Sequence, residues 1–278
     1  ITTFKSKINS QNKTIVYYNL LISKIVEKKD DRISLRYIFY MYFCIKSSTK
    51  KYLVIKDDGG IKMKEFDTYI FDLDGTLLYT LDDLTASTNY AMRAFSLPEH
   101  TTEEVRMMVG NGIKKLIERA VPGGKDNKHY EDIYNTFIEY YLKHNADTTR
   151  PYDGIIDMLA ILKQHGKKIA VVSNKYCKAT EELCRYFFGD YIKVAIGESD
   201  KIRKKPAPDT VNEALKLLEA ERDNAVYIGD SEVDIQTARN SCMPCISVLW
   251  GFRDKDFLIR NGAQTLVETP SEITSCIK

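Results

Sequence analysis

Two aspartates, Asp72 and Asp74, interrupt the apolar run TYIFDLDGTLL at residues 68–78. Side chains alternate along a strand, so carboxylates at i and i+2 point toward one small volume. Like charges so placed repel unless a cation lies between them or one holds a proton. The pair therefore asks which ion, which proton and which substrate. A calcium loop is the ordinary alternative for a DxDG fragment, but it lies between helices and needs further oxygen ligands ending in a glutamate. Here the aspartates close a strand, the place where open α/β sheets bind ligands.

Three later stretches bear on the same chemistry. Ser173 and Asn174 end the run VVSN at 171–174, although turns use such residues without any functional reason. Lys204 and Lys205 open KKPAPD at 204–209, which reads either as a solvated face before a helix or as a lysine held by a stiff turn to reach a phosphate. Asp230 and Asp234 lie in YIGDSEVD at 227–234, where an acidic residue can simply cap a helix or favour its dipole. Each stretch alone is bland. Together, three strand ends supply the groups that one reaction needs, phosphoryl transfer through an aspartyl-phosphate. A carboxylate nucleophile splits hydrolysis into two easier steps. A second carboxylate two residues on can protonate the leaving oxygen and then deprotonate the attacking water. Magnesium suits carboxylate and carbonyl oxygens, and a lysine with hydroxyl donors suits the transferring oxygens.

In this order, with a helical insert after the first, the four motifs resemble the haloacid-dehalogenase superfamily of aspartate-nucleophile phosphatases. Within it, residues 63–278 are most similar to the phosphoglycolate-phosphatase-like group. The resemblance implies that Asp72 is nucleophile and magnesium ligand, and that Asp74 is general acid–base with its carbonyl on the metal. It implies phosphate contacts from Thr76, Ser173, Asn174 and Lys205, a further metal ligand in Asp230, and a supporting Asp234 that orients Lys205 or a metal-bound water. The segment VGNGIKKL at 109–116 resembles the loop that closes over such a site, with Gly110, Asn111 and Gly112 against the substrate. The plain alternative is a joint between helices, where two glycines only make the turn.

The implied activity is magnesium-dependent hydrolysis of a small phosphate monoester, phosphoglycolate first. Alternatives are a pyrophosphate or nucleoside monophosphate hydrolase, a phosphosugar mutase, or a metabolite-binding regulator without catalysis. Asp74 sets the chain apart from dehalogenases of this fold, from ion-pumping ATPases, and from phosphonate-cleaving relatives, whose Schiff-base lysine Lys114 or Lys115 would otherwise suggest. The chain departs from the group at Tyr79, where aspartate is common, and in RNSC at 239–242, where small residues and a glycine are common.

These residues need strands to hold them. Short strand patterns at 68–71, 168–173, 193–196, 225–228, 245–248 and 265–267 alternate with helical ones such as 155–165 and 208–220. That alternation predicts a doubly wound, Rossmann-like parallel α/β core. Residues 80–150 show only helical periodicity, at 81–95, 103–109, 113–120 and 130–145. The expected organisation is a core of 63–79 and 151–278 with an inserted helical cap at 80–150.

Composition narrows the partners. Residues 1–62 carry a net charge of +8 and the remainder −6. An acidic body argues against nucleic acid, whose backbone calls for a basic surface. The six cysteines show no dense spacing framework, and the lone CxxC at 242–245 has no second pair or nearby histidine, so the expected compartment is reducing and cytoplasmic. Residues 1–62 contain no Ala, Pro, His or Trp, and Gly59–Met63 can be encoded by a ribosome-binding sequence followed by a start codon. They are expected to be an upstream extension rather than a domain. Their most apolar part, SLRYIFYMYFCI at 34–45, includes Arg36 and falls short of the roughly 20 residues a membrane span needs.

Overall fold

The computed structural model describes residues 54–57, 60–63 and 65–277. The expectation that 1–62 are an upstream extension lies largely outside the described residues. Within that stretch and just beyond it, β1 (Val54–Asp57) pairs antiparallel with β2 (Gly60–Met63).

The central sheet is built from β3 (Thr68–Phe71), β6 (Lys168–Tyr176), β7 (Val194–Glu198), β8 (Ala225–Gly229), β9 (Cys245–Val248) and β10 (Leu266–Val267). All neighbours are parallel and the spatial order is β10-β9-β8-β3-β6-β7. In order of appearance this is 3-2-1-4-5-6, so the chain reverses direction across the sheet at β3. β3 and β8 are buried along their whole lengths, as parallel strands covered on both faces must be.

The helices α5 (Ile155–Gln164), α6 (Cys177–Phe188), α7 (Asp209–Leu217), α8 (Glu232–Asn240), α9 (Lys255–Arg260) and α10 (Pro270–Thr274) follow their strands in the chain. Two apolar clusters form around the sheet. One joins Phe71, Val171 and Ile228 to Leu159 and Phe188; the other joins Ile70, Val172 and Tyr227 to Val211 and Ala238. Alternate residues of each strand go to opposite clusters, the period-2 signature of a strand.

The helical insert is present. Between β4 (Leu78–Tyr79) and β5 (Arg150–Pro151), which pair antiparallel, run α1 (Leu81–Ala94), α2 (Thr102–Met108), α3 (Ile113–Ala120) and α4 (Tyr130–His144). They bury a separate cluster around Met92, Ile117, Ile133 and Phe137. Buried Asp83 of α1 accepts from Thr148 N–H and Oγ1 and from Thr149 N–H, tying the outgoing chain to the incoming one.

One strand departs from expectation in a way that matters below. β6 continues past Ser173 to Tyr176. Val172 pairs with Ile196 and Tyr176 with Glu198, so β6 carries two more residues than β7 over this interval. Such a bulge breaks side-chain alternation. Ser173, Asn174 and Lys175 are consequently all buried.

Candidate active site

The strand ends that meet at the reversal of the sheet bring the predicted residues together. Asp72 follows β3 directly, with its N–H donating to Ile228 O of β8 at 2.9 Å. The chain then turns tightly, with Gly75 at φ +81. A Cβ on Gly75 would lie 2.4 Å from Asp230 Oδ2, so the close approach of this turn to Asp230 requires glycine. Gly251 is equally constrained: a Cβ there would lie 2.2 Å from Asp230 Cβ.

Lys205, 3% exposed, is the hub of the charged groups. Its Nζ lies 2.8 Å from Asp72 Oδ1 and 2.8 Å from Asp234 Oδ1, and donates to Tyr227 Oη at 3.1 Å. Asp234 owes its position to helix capping. It is the third residue of α8, and its carboxylate accepts from the N–H and Oγ of the N-cap Ser231 while Ser231 Oγ accepts from Asp234 N–H. Asp234 is therefore fully engaged and orients Lys205.

Burial opposes the Lys205 ammonium, but Asp234 and Asp72 more than offset it and hold its pKa above the usual lysine range. Burial, then the charge of Asp234, push Asp72 well above the usual carboxylate range, with Lys205 opposing. Burial and Asp234 likewise push Asp230 up to about 7, against the pull of Phe252 N–H and the Thr76 hydroxyl. Carboxylate oxygens of Asp72, Asp230 and Asp234 lie within 4.8 Å of one another. One lysine faces three carboxylates there, and that excess of hard oxygen charge fits a divalent cation such as magnesium.

A single cavity of about 60 Å³ collects most of the expected residues: Asp72, Asp74, Ser173, Asn174, Lys205 and Asp230, with Gly110 and Gly112 from the cap. Thr76, expected to contact phosphate, lies outside the lining; its hydroxyl instead donates to Asp230 Oδ1 at 3.1 Å. Asn174 uses Nδ2 to bridge Lys205 O and Gly110 O, at 3.0 and 3.4 Å. Asn111 is also outside the lining: its Oδ1 accepts from Arg119 of the cap, and its carbonyl accepts from Lys204.

Several residues that line this cavity or hold the site had no signal in the motifs. Lys175 pairs with Asp74 Oδ1 at 2.7 Å. The loop after β9 supplies Phe252, whose N–H donates to Asp230 Oδ2 at 2.7 Å, and Trp250, whose Nε1–H donates to Thr76 O. Arg253 donates to Arg106 O and Val109 O, the last carbonyls of α2 and its C-cap, while Arg106 returns a hydrogen bond to Phe252 O. Leu84, Ile113, Leu116 and Tyr141 make the cap side apolar. A lysine following SN, or a Phe-Arg pair after a short strand, has no pattern that marks it as part of a site.

Residues 69–248 match the family model described as haloacid dehalogenase-like hydrolase. The chain belongs to the haloacid dehalogenase-like hydrolase family. Among curated relatives, a phosphoglycolate phosphatase of Caulobacter vibrioides is 33% identical over 68% of this chain and 81% of its own length. An N-acetylmuramic acid 6-phosphate phosphatase of Pseudomonas aeruginosa is 29% identical over 77% of this chain and 95% of its own. A solved structure of a provisionally assigned phosphoglycolate phosphatase from Lactobacillus delbrueckii is 36% identical, with a TM-score of 0.73, and the match covers 77% of this chain and 99% of that one. Members of this hydrolase family are thus similar to the present chain both in sequence and in fold. Among the described residues no helix is long and apolar enough to cross a membrane.

Proposed function

We propose that this hydrolase is a magnesium-dependent phosphatase that removes the phosphoryl group from a small monoester, phosphoglycolate first, through an aspartyl-phosphate on Asp72. The observation that carries the reading is the arrangement at Asp72. Its Oδ1 is held by Lys205 Nζ at 2.8 Å and by Leu73 N–H at 2.7 Å, which leaves Oδ2 to act in a cavity that Asp74 also lines.

In the first step Asp72 Oδ2 attacks phosphorus while Asp74 delivers a proton to the leaving-group oxygen. In the second, Asp74 takes a proton from water as the water displaces Asp72. Lys205 neutralises the transferring oxygens, and the Ser173 hydroxyl, whose oxygen accepts from Lys175 N–H, has its proton available for them. Asp72, the Asp74 carbonyl and Asp230 would hold magnesium, which when bound supplies charge neutralisation between carboxylates and phosphoryl group. Thr76 and Phe252 N–H fix Asp230 for that role. The cap loop at Gly110 and Gly112 excludes water during attack.

The relatives named phosphoglycolate phosphatase support a compact, two-carbon leaving group. A substrate other than nucleic acid accords with the acidic body, and the proposed site of action is cytoplasmic, with no membrane partner.

The test is phosphate release, with and without magnesium, from phosphoglycolate, a sugar 6-phosphate, a nucleoside monophosphate and pyrophosphate. The reading expects magnesium-dependent release, with phosphoglycolate giving the highest kcat/KM. Release from none of them would overturn it in favour of a regulator, and release only alongside a sugar acceptor would favour a mutase.

A further inference from the structure

Lys175 is a buried cation in the cavity to which the steps above give no task. The β6 bulge turns its side chain inward beside Ser173 and Asn174, and it is 4% exposed. Its Nζ sits 2.7 Å from Asp74 Oδ1 and 4.9 Å from the centre of the Tyr141 ring, which α4 of the cap lays over it. Burial works against the ammonium, but Asp74 and Tyr141 outweigh it. An ion pair of this kind is a poor stabiliser, since apolar side chains of similar volume do as well or better. Among the described residues nothing hydrogen-bonds Asp74 Oδ2, so the pair leaves one oxygen of that carboxylate free and fixes the other.

The arrangement repeats that of Asp72. Each aspartate has Oδ1 held by a buried lysine from another segment, Lys205 for Asp72 and Lys175 for Asp74. Each is left with Oδ2 for chemistry. We infer that Lys175 is the positioning residue for Asp74: its ammonium anchors Oδ1 and thereby aims Oδ2, the oxygen that carries the mobile proton, at the leaving-group oxygen. This rests on the phosphatase reading above. As the bond from phosphorus to the leaving group breaks and the bond from phosphorus to Asp72 Oδ2 forms, the Oδ2 proton of Asp74 moves to the departing alkoxide. In the return step water gives that proton back as its oxygen bonds to phosphorus and Asp72 is released. In this role Lys175 acts through Asp74 and takes no part in the bond changes. Tyr141 closes its open side, so the anchor is complete only with the cap in place.

The consequence is a dependence on the leaving group. An alkoxide needs the proton, whereas p-nitrophenolate departs without one. The experiment compares kcat/KM for phosphoglycolate and p-nitrophenyl phosphate in wild type, Lys175→Met, Lys175→Arg, Asp74→Asn and the double variant Asp74→Asn with Lys175→Met. General acid catalysis contributes roughly 10²–10⁴-fold. Lys175→Met should therefore lose about 10²-fold or more with phosphoglycolate and less than about tenfold with the nitrophenyl ester. Lys175→Arg, which keeps the charge and the fold but changes the reach, should show the same asymmetry at about tenfold. The double variant should be no worse than Asp74→Asn alone with phosphoglycolate, because both act through one proton transfer. Equal losses with both esters, unchanged phosphoglycolate turnover in both lysine variants, or additive losses in the double variant would overturn the role of Lys175 and leave the phosphatase reading standing. A wild type that releases phosphate from neither ester would overturn both.

Discussion

The two walls of the cavity are made differently. On the core side the functional side chains are charged or polar, and two of them are multiply held: Lys205 by Asp72, Asp234 and Tyr227, and Asp230 by Thr76 and Phe252 N–H. On the cap side the lining is mostly apolar, from Leu84, Ile113, Leu116 and Tyr141. Where cap and core touch, core donors Arg253, Asn174 and Lys204 reach backbone carbonyls of Arg106, Val109, Gly110 and Asn111. Two cap side chains also reach the core, Arg106 donating to Phe252 O and Tyr141 laying its ring over Lys175. The core thus sets the reaction through fixed charges, and the cap shapes the space left for the leaving group.

That contrast breaks first, if it breaks, at Lys205. Lys205→Met leaves Asp72 and Asp234 without their cation, and breaking such a buried pair costs about 3–5 kcal/mol. Denaturant unfolding at pH 7 should show this loss, and phosphate release should fall to background. A stable, active variant would mean the core charges are not organised around this lysine.

A cap-core change should cost comparable stability with a different distribution. Phe137→Ala removes a fully buried ring at about 3–5 kcal/mol. Hydrogen exchange should rise in α1 and α4, while β3 and β8 stay protected. Leu116→Ala, at the cavity wall, should raise KM roughly tenfold with kcat nearly unchanged, the size of effect that apolar contacts give in specificity.

The smallest effect is one of pH. Asp230 titrates near 7 in the metal-free fold, against 3.8 for an ordinary aspartate, so the folded state binds more protons than the unfolded state between those values. Its contribution to stability is present below the unfolded pKa and is lost as pH rises through 7. The Tm of metal-free protein should therefore fall between pH 5 and pH 8. Asp230→Asn should flatten that slope, and magnesium should raise the wild-type Tm more at pH 8 than at pH 5.

Much of the core side was legible because its residues terminate strands. Asp72 after TYIF, Ser173 after VV and Asp230 after YIG follow hydrophobic runs whose length and β-branching announce parallel strands, and β3 and β9 fall at the expected residues. Lys175 was not legible, since an apolar run ending in SN gives no sign that two extra residues on β6 will keep the next side chain inside. Thr76 was expected at the phosphate because residue type alone does not say which buried partner a hydroxyl will find first. Tyr141 and Leu116 were hidden for the opposite reason: as members of helical apolar stripes they look like core, and they do pack in the cap cluster as well as facing the cavity. Phe252 and Arg253 lie in a loop whose place is fixed only by the finished fold.

The central claim is that Asp72 is the nucleophile, and phosphate release by Asp72→Asn tests it most directly. The amide removes one buried charge from a crowded site, so the variant should fold at least as stably as wild type when metal-free at pH 8. The account predicts phosphoglycolate turnover below about one thousandth of wild type at saturating magnesium, the scale on which loss of a covalent nucleophile acts. Turnover within about tenfold of wild type by a folded Asp72→Asn protein would contradict it.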